Sequence, residues 1–272
     1  MSAMQPIGVF DSGVGGLSVL KALRQTLPQA QFVYVSDAGH APYGERDVQH
    51  VLDRSAAIGR YLVEKHQVRA LVVACNTATA AAIATLRANY PALPIVGVEP
   101  ALKPAAARTR TGVVGVLATR STLASDKFAA LLQAQDPKVR FVLQACDGLA
   151  AAIENADHAQ IHQLCARYMQ ALGPLGSGTG EMDTVVLGCT HYTFATDMLS
   201  TLVGTDVALM DAGLPVAQRT ASLLQTGDGD GLTTDTPAPW VELLTTGSPT
   251  ALDNAARQWL DGTGAARQLN IV

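Results

Sequence analysis

Leu71-Val72-Val73-Ala74-Cys75-Asn76-Thr77 and Val185-Val186-Leu187-Gly188-Cys189-Thr190-His191 repeat one pattern 114 positions apart. Each is a continuous apolar run, then a small residue, a cysteine and polar side chains. Unbroken apolar runs of this length are expected of parallel strands covered on both faces. A thiol at the exit of such a strand lies at the carboxyl edge of a sheet, where open α/β sheets collect ligands. Two such thiols in related halves suit a chemistry that needs one acid and one base of similar strength, one on each face of a small molecule.

The pattern extends outward. Ile7-Gly8-Val9-Phe10-Asp11-Ser12 overlays Val114-Gly115-Val116-Leu117-Ala118-Thr119, 107 positions later. Glu99 follows Cys75 by 24 residues and Asp211 follows Cys189 by 22. Ordered matches at similar offsets indicate two homologous α/β domains. The expected boundaries are 1–98 plus 212–272 for the first, and 99–211 for the second. Further strands are expected at Phe32–Val35, Ile95–Val98, Arg140–Leu143, Val207–Met210 and Val241–Leu244. Helical periodicity covers Leu17–Leu27, Ala78–Asn89, Thr122–Gln133 and Leu214–Leu224. Another helix, with Asp47 as its N-cap, carries Val48, Val51, Ile58 and Leu62. The segments 172–182 and 226–239 read as connectors. The segment after Asp211 is expected to pack back onto the first domain.

The 272 residues are 48% hydrophobic and 15% charged, with a net charge of −4. That composition supports a substantial core and excludes global disorder. No basic stripe marks a nucleic-acid face. The apolar run Ile7–Phe10 is too short for a signal peptide, and Ala70–Leu86 is too interrupted for a membrane span. Four cysteines with no CxxC pair are expected to be reduced thiols in a cytoplasm.

Asp11-Ser12-Gly13-Val14-Gly15-Gly16 lies between the first strand and first helix, placed to cradle an anion. A dinucleotide fingerprint fails on spacing, because Ser18 stands where its third glycine belongs. Cys75, Cys189, His191 and Asp11 offer four metal ligands, but the dense Cys/His spacing of a zinc site is missing. Cys165, in the helical stretch Ile161–Tyr168, reads as core, and His40, His50, His66, His158 and His162 read as solvated.

These segments resemble the glutamate racemase branch of the cofactor-independent aspartate/glutamate racemases. The carriers are Gly8-Val9-Phe10-Asp11-Ser12-Gly13-Val14-Gly15-Gly16-Leu17, Ala41-Pro42-Tyr43-Gly44, Ala74-Cys75-Asn76-Thr77-Ala78, Gly115–Thr119, Gly188-Cys189-Thr190-His191-Tyr192 and Thr245-Thr246-Gly247. His191 matches the glutamate branch, where the aspartate branch has an acid. The resemblance implies two pseudosymmetric three-layer α/β domains with mainly parallel sheets, and an active site in the cleft between them. It implies interconversion of L- and D-glutamate for peptidoglycan synthesis, without a cofactor or metal. Cys75 would act on the D-glutamate face and Cys189 on the L-glutamate face, assisted by Asp11, His191 and Glu154. Asp147 stands where the family often has proline near Glu154. Asp11, Ser12, Tyr43, Gly44, Asn76, Thr77, Thr190 and His191 would bind substrate, with Thr119 a further candidate. The family often forms homodimers. Two alternatives remain: a racemase for aspartate or another amino acid, and a non-catalytic module that binds a small acid.

Overall fold

The computed structural model describes residues 5–225, 238–260 and 264–271. The chain divides into two compact units, 1–98 with 213–272, and 99–212. Part of the expected connector 226–239, residues 226–237, lies outside the described residues.

In the first unit, β1 (Ile7–Asp11), β2 (Phe32–Ser36), β3 (Ala70–Val73), β4 (Ile95–Gly97), β9 (Val241–Thr245) and β10 (Arg267–Gln268) form one sheet. Its strand order is β10-β9-β2-β1-β3-β4, and every pairing is parallel. The sequence of β1 to β3 explains their place: all their residues are buried, so both faces must be covered. The helices α2 (Val48–His66) and α3 (Asn76–Asn89) join Val33, Val35, Leu71 and Val73 in one apolar cluster through Ile58, Leu62, Ala82 and Leu86. Tyr34 alternates with Val33 and Val35 and therefore faces the other side. There its hydroxyl donates to the Gly13 carbonyl at 2.7 Å, just before α1 (Leu17–Thr26). Two later helices, α10 (Gly213–Gln225) and α11 (Pro249–Trp259), pack against α1 within the first unit.

The second unit repeats the central topology. Its strands β5 (Val113–Ala118), β6 (Arg140–Ala145), β7 (Thr184–Leu187) and β8 (Ala208–Met210) are all parallel, in the order β6-β5-β7-β8. That matches β2-β1-β3-β4. The repeat holds at single hydrogen bonds. The Ala74 amide donates to the Phe10 carbonyl at 2.7 Å, and the Gly188 amide to the Leu117 carbonyl at 2.7 Å. One strand over, Asp37 donates to Asp11 at 3.0 Å, and Cys146 to Ala118 at 3.0 Å. The helices of this unit are α4 (Leu102–Arg108), α5 (Arg120–Leu123), α6 (Asp126–Gln133), α7 (Leu149–Glu154), α8 (His158–Leu172) and α9 (Thr196–Val203).

One helix expected over 122–133 is two, because two caps compete within it. Thr119 accepts from the Thr122 amide at 3.1 Å and starts α5, whereas Ser125 accepts from the Phe128 amide at 3.1 Å and starts α6. Asp47 caps α2 as read, accepting from the Gln49 amide at 2.8 Å.

Candidate active site

Each unit carries one half of the expected site at the carboxyl edge of its sheet. In the first, Cys75 follows β3 and is the N-cap of α3, its sulfur accepting from the Ala78 amide at 3.4 Å. A helix N-terminus favours negative charge, so this position supports a thiolate. The Cys75 thiol donates to Ser12 Oγ at 3.6 Å, and Ser12 Oγ donates to Asp11 Oδ1 at 3.2 Å. The same Asp11 oxygen accepts from the Gly13 amide at 2.8 Å. Asp11, Ser12 and Cys75 therefore form a hydrogen-bonded chain that runs from the end of β1 to the end of β3. Asn76 and Thr77 open α3 beside the thiol, and the buried Asn76 Nδ2 has no protein acceptor.

Gly16 makes this packing possible. Its φ is an ordinary −64°, so the need is for space rather than a special conformation. A Cβ there would lie 2.6 Å from Asp11 Cβ and 3.1 Å from Ala74 Cβ. The glycine loop thus lets α1 start hard against the strand that carries Asp11.

In the second unit, Cys189 follows β7 and precedes a short 3-10 turn, Thr190–Ala195. The Cys189 sulfur lies 3.9 Å from His191 Nδ1. On the far side of the ring, His191 Nε2 meets Glu154 Oε2, the last residue of α7, at 2.8 Å. A carboxylate only accepts, so with Glu154 in that form the Nε2 contact takes its proton from the ring. Gly188 sits tightly as well, since a Cβ there would come 2.9 Å from the Leu117 carbonyl oxygen. Both thiols are nearly enclosed, with Cys75 5% and Cys189 7% exposed.

The remaining expected residues have these neighbours, each within its own unit. Tyr43 is buried in the same apolar cluster as Cys75, and Gly44 follows it in a 3-10 turn, Tyr43–Glu45. Thr190 adjoins Cys189. Thr119 spends its hydroxyl within α5, donating to Thr122 Oγ1 at 2.9 Å. Cys165 is core, as read, and burial pushes its thiol up to about 11. Burial drives Cys146 upward too, so neither is a ready thiolate. Among the described residues no group of three His, Cys, Asp or Glu side chains is arranged to hold a metal ion, and no helix is long and apolar enough to cross a membrane.

Three histidines differ from the solvated reading. His40 Nδ1 lies 3.1 Å from Asp37 Oδ1. His50 stacks near His40 and Tyr43, at ring-centroid distances of 5.8 and 6.4 Å. His66 meets the Tyr61 hydroxyl at 3.3 Å, and burial lowers its pKa. Outside the expected set, Asp37 is a fully buried, heavily bonded carboxylate. It accepts from Tyr43 Oη at 2.5 Å, Arg54 Nε at 3.0 Å, Arg54 Nη2 at 2.9 Å and Thr246 Oγ1 at 2.8 Å. Its signal was available: a lone acid at the end of the apolar run Phe32–Ser36, placed as Asp11 is at the end of β1.

The chain is similar to known proteins over most of its length. Residues 7–218 match the family model described as Asp/Glu/Hydantoin racemase. A glutamate racemase of Pseudomonas putida (strain W619) is 44% identical over 268 residues, 98% of each chain. Glutamate racemase isoform RacE1 from Bacillus anthracis superposes with a TM-score of 0.83 at 30% identity, covering 99% of this chain and 98% of that one. Escherichia coli glutamate racemase, solved with L-glutamate and the activator UDP-MurNAc-ala, gives a TM-score of 0.82 at 29% identity over 98% and 99% of the two chains.

Proposed function

The chain belongs to the Asp/Glu/Hydantoin racemase family and is an amino-acid racemase, an isomerase; from that premise we propose that it interconverts L- and D-glutamate using Cys75 and Cys189 as a pair of acid/base groups. The observation that carries this reading is the repeated wiring. Each unit ends an equivalent strand in a nearly enclosed thiol, and each thiol is linked to a carboxylate through one polar relay.

The chemistry asked of such a pair is balanced. One cysteine, as thiolate, removes the α-proton from one face of glutamate and becomes a thiol. The electron pair left on Cα is delocalised toward the substrate carboxylate. The other cysteine, as thiol, returns a proton to the opposite face and becomes a thiolate. The reverse reaction exchanges the two roles, which suits two groups of similar acidity. Cys75 serves the D-glutamate face and Cys189 the L-glutamate face, with Asp11, His191 and Glu154 assisting. Carbanionic charge needs preorganised donors. Asn76 Nδ2 is available for this in the first unit, since no protein group accepts from it. Ser12, Tyr43, Gly44, Thr77 and Thr190 complete the substrate contacts. D-glutamate for peptidoglycan, a cytoplasmic setting and a homodimer belong to the same reading.

The test is optical. L-Glutamate incubated with the protein and no added cofactor should lose its circular dichroism signal, and in D2O the α-position should take up deuterium. Unchanged optical activity of glutamate, or equal turnover of aspartate, defeats the assignment.

A further inference from the structure

The Asp37 cluster lies within the first unit, beside the Asp11–Ser12–Cys75 chain, the Asp37 amide donating to the Asp11 carbonyl at 3.0 Å. Three of its features point one way. Asp37 is fully buried, and Arg54 grips it with two nitrogens, Nε on Oδ2 at 3.0 Å and Nη2 on Oδ1 at 2.9 Å. The oxygen that accepts from Arg54 Nε also accepts the Tyr43 proton, at 2.5 Å. The loop between Asp37 and Tyr43 is closed by bonds from both ends. The Gly39 amide donates to Thr246 Oγ1 at 3.1 Å, Thr246 Oγ1 donates to Asp37 at 2.8 Å, and His40 Nδ1 meets Asp37 at 3.1 Å. The loop cannot shift without breaking bonds to a charge that has no solvent to replace them.

Arg54 also reaches residues far later in the sequence. Its Nη1 donates to the Ile271 carbonyl at 3.1 Å. The Leu269 amide donates to the Thr245 carbonyl at 2.7 Å, next to Thr246. The late segments 245–246 and 269–271 therefore brace the same carboxylate that orients Tyr43. The electrostatics agree with this arrangement. Burial alone would raise the Asp37 carboxyl, but its bonds from Arg54, Tyr43 and Thr246 outweigh it and hold the group below the usual range.

We propose that Asp37, clamped by Arg54 and braced by Thr246, is a positioning residue for substrate binding: it fixes the Tyr43 ring, and through it the Tyr43-Gly44 turn, in the orientation that receives glutamate. Asp37 acts through Tyr43 and does not touch the reacting atoms. This inference rests on the assignment of Tyr43 and Gly44 to glutamate binding.

A double-mutant cycle with Asp37→Asn and Tyr43→Phe tests it, read by steady-state kinetics in both directions and by glutamate affinity from calorimetry. Each single change should raise KM and weaken affinity about tenfold or more while kcat stays within about threefold, as expected when ground-state binding is lost. The double variant should be no more than about twofold worse than the worse single, since both remove one interaction. Thr246→Val, which deletes one bond to Asp37 and the acceptor of the Gly39 amide, keeps the test valid where Asp37→Asn does not fold, and its KM should rise by a smaller factor in the same direction. Losses that multiply in the double variant overturn the proposal, as do singles within about twofold of the parent in KM. A parent protein that neither racemises nor binds glutamate overturns the functional assignment, and this inference with it. A parent that does both, with an unaffected Asp37→Asn, overturns the positioning role alone.

Discussion

The two half-sites share a thiol and a polar relay to a carboxylate, but not the residues that fill that relay. Cys75 and Cys189 end equivalent strands, yet Asp11 at the end of β1 corresponds to Ala118 at the end of β5. The second unit finds its carboxylate elsewhere, from Glu154 on α7. The relays differ as well. A hydroxyl, Ser12, stands between Asp11 and Cys75, whereas an imidazole, His191, stands between Glu154 and Cys189. A hydroxyl only passes a hydrogen bond along, but an imidazole can hold a full positive charge beside a thiolate. Cys75 instead has the N-terminus of the 14-residue helix α3, against a 3-10 turn at Cys189. The two units keep a cysteine at the same place after equivalent strands and differ in what surrounds it.

The largest effect should come from the shared part. Cys75→Ala and Cys189→Ala should each lower racemisation by roughly 10²–10⁴-fold, the usual worth of a general acid or base. Polarimetry from both L- and D-glutamate measures this, and a single variant with near-parental activity would break the symmetry of the pair. The next effect concerns a pair of unlike equivalents, Asp37 and Cys146. Asp37→Asn leaves Arg54 buried without its counter-charge and should cost about 3–5 kcal/mol at neutral pH. Cys146→Ala should cost about 1 kcal/mol, an ordinary value for a small change. The Asp37 carboxyl is held below its unfolded value, so its stabilisation is complete above about pH 4 and fades as the pH falls through the folded value. Urea unfolding should therefore show parent and Asp37→Asn converging in acid and furthest apart near neutrality.

The relays give a third comparison. His191→Asn should slow turnover by about 100-fold and Ser12→Ala by about tenfold, because only the first removes a group able to carry charge. Equal losses would mean that the relays serve geometry alone. The smallest effect concerns the residue before each thiol. Gly188→Ala, with its Cβ 2.9 Å from a carbonyl oxygen, should cost about 1–3 kcal/mol. The reciprocal Ala74→Gly should cost about 1 kcal/mol or less from backbone entropy. Thermal denaturation of the two variants ranks them.

The legible parts of the sequence were those set by local pattern. Buried parallel strands announce themselves as unbroken apolar runs, and Cys75 and Cys189 stood out because each closes one. Asp47 was legible because an N-cap needs only its own helix. The break at Ser125 was not, since two overlapping caps leave the same periodicity as one helix. His191 and Glu154 are 37 positions apart, and only the fold brings them to 2.8 Å. Glu154 came from family likeness rather than from spacing. Asp37, Arg54 and Thr246 span more than 200 positions, and a buried charge among apolar strands has no periodicity to betray its partners. The three histidines that differ from the solvated reading sit in polar sequence, but sequence neighbours are not spatial neighbours.

The strand order of the first sheet has a consequence for how the chain is made. On the ribosome, β1 to β4 emerge before the whole second unit, and β9 emerges after it. Until then β2 is an edge with unpaired backbone groups, the kind of template that recruits foreign strands. The unit 99–212 is contiguous in sequence and can fold while the first still lacks β9, β10 and α11. Nascent chains stalled before residue 241 should therefore carry a finished second unit and an unsealed first one, dependent on chaperones until β9 and β10 arrive.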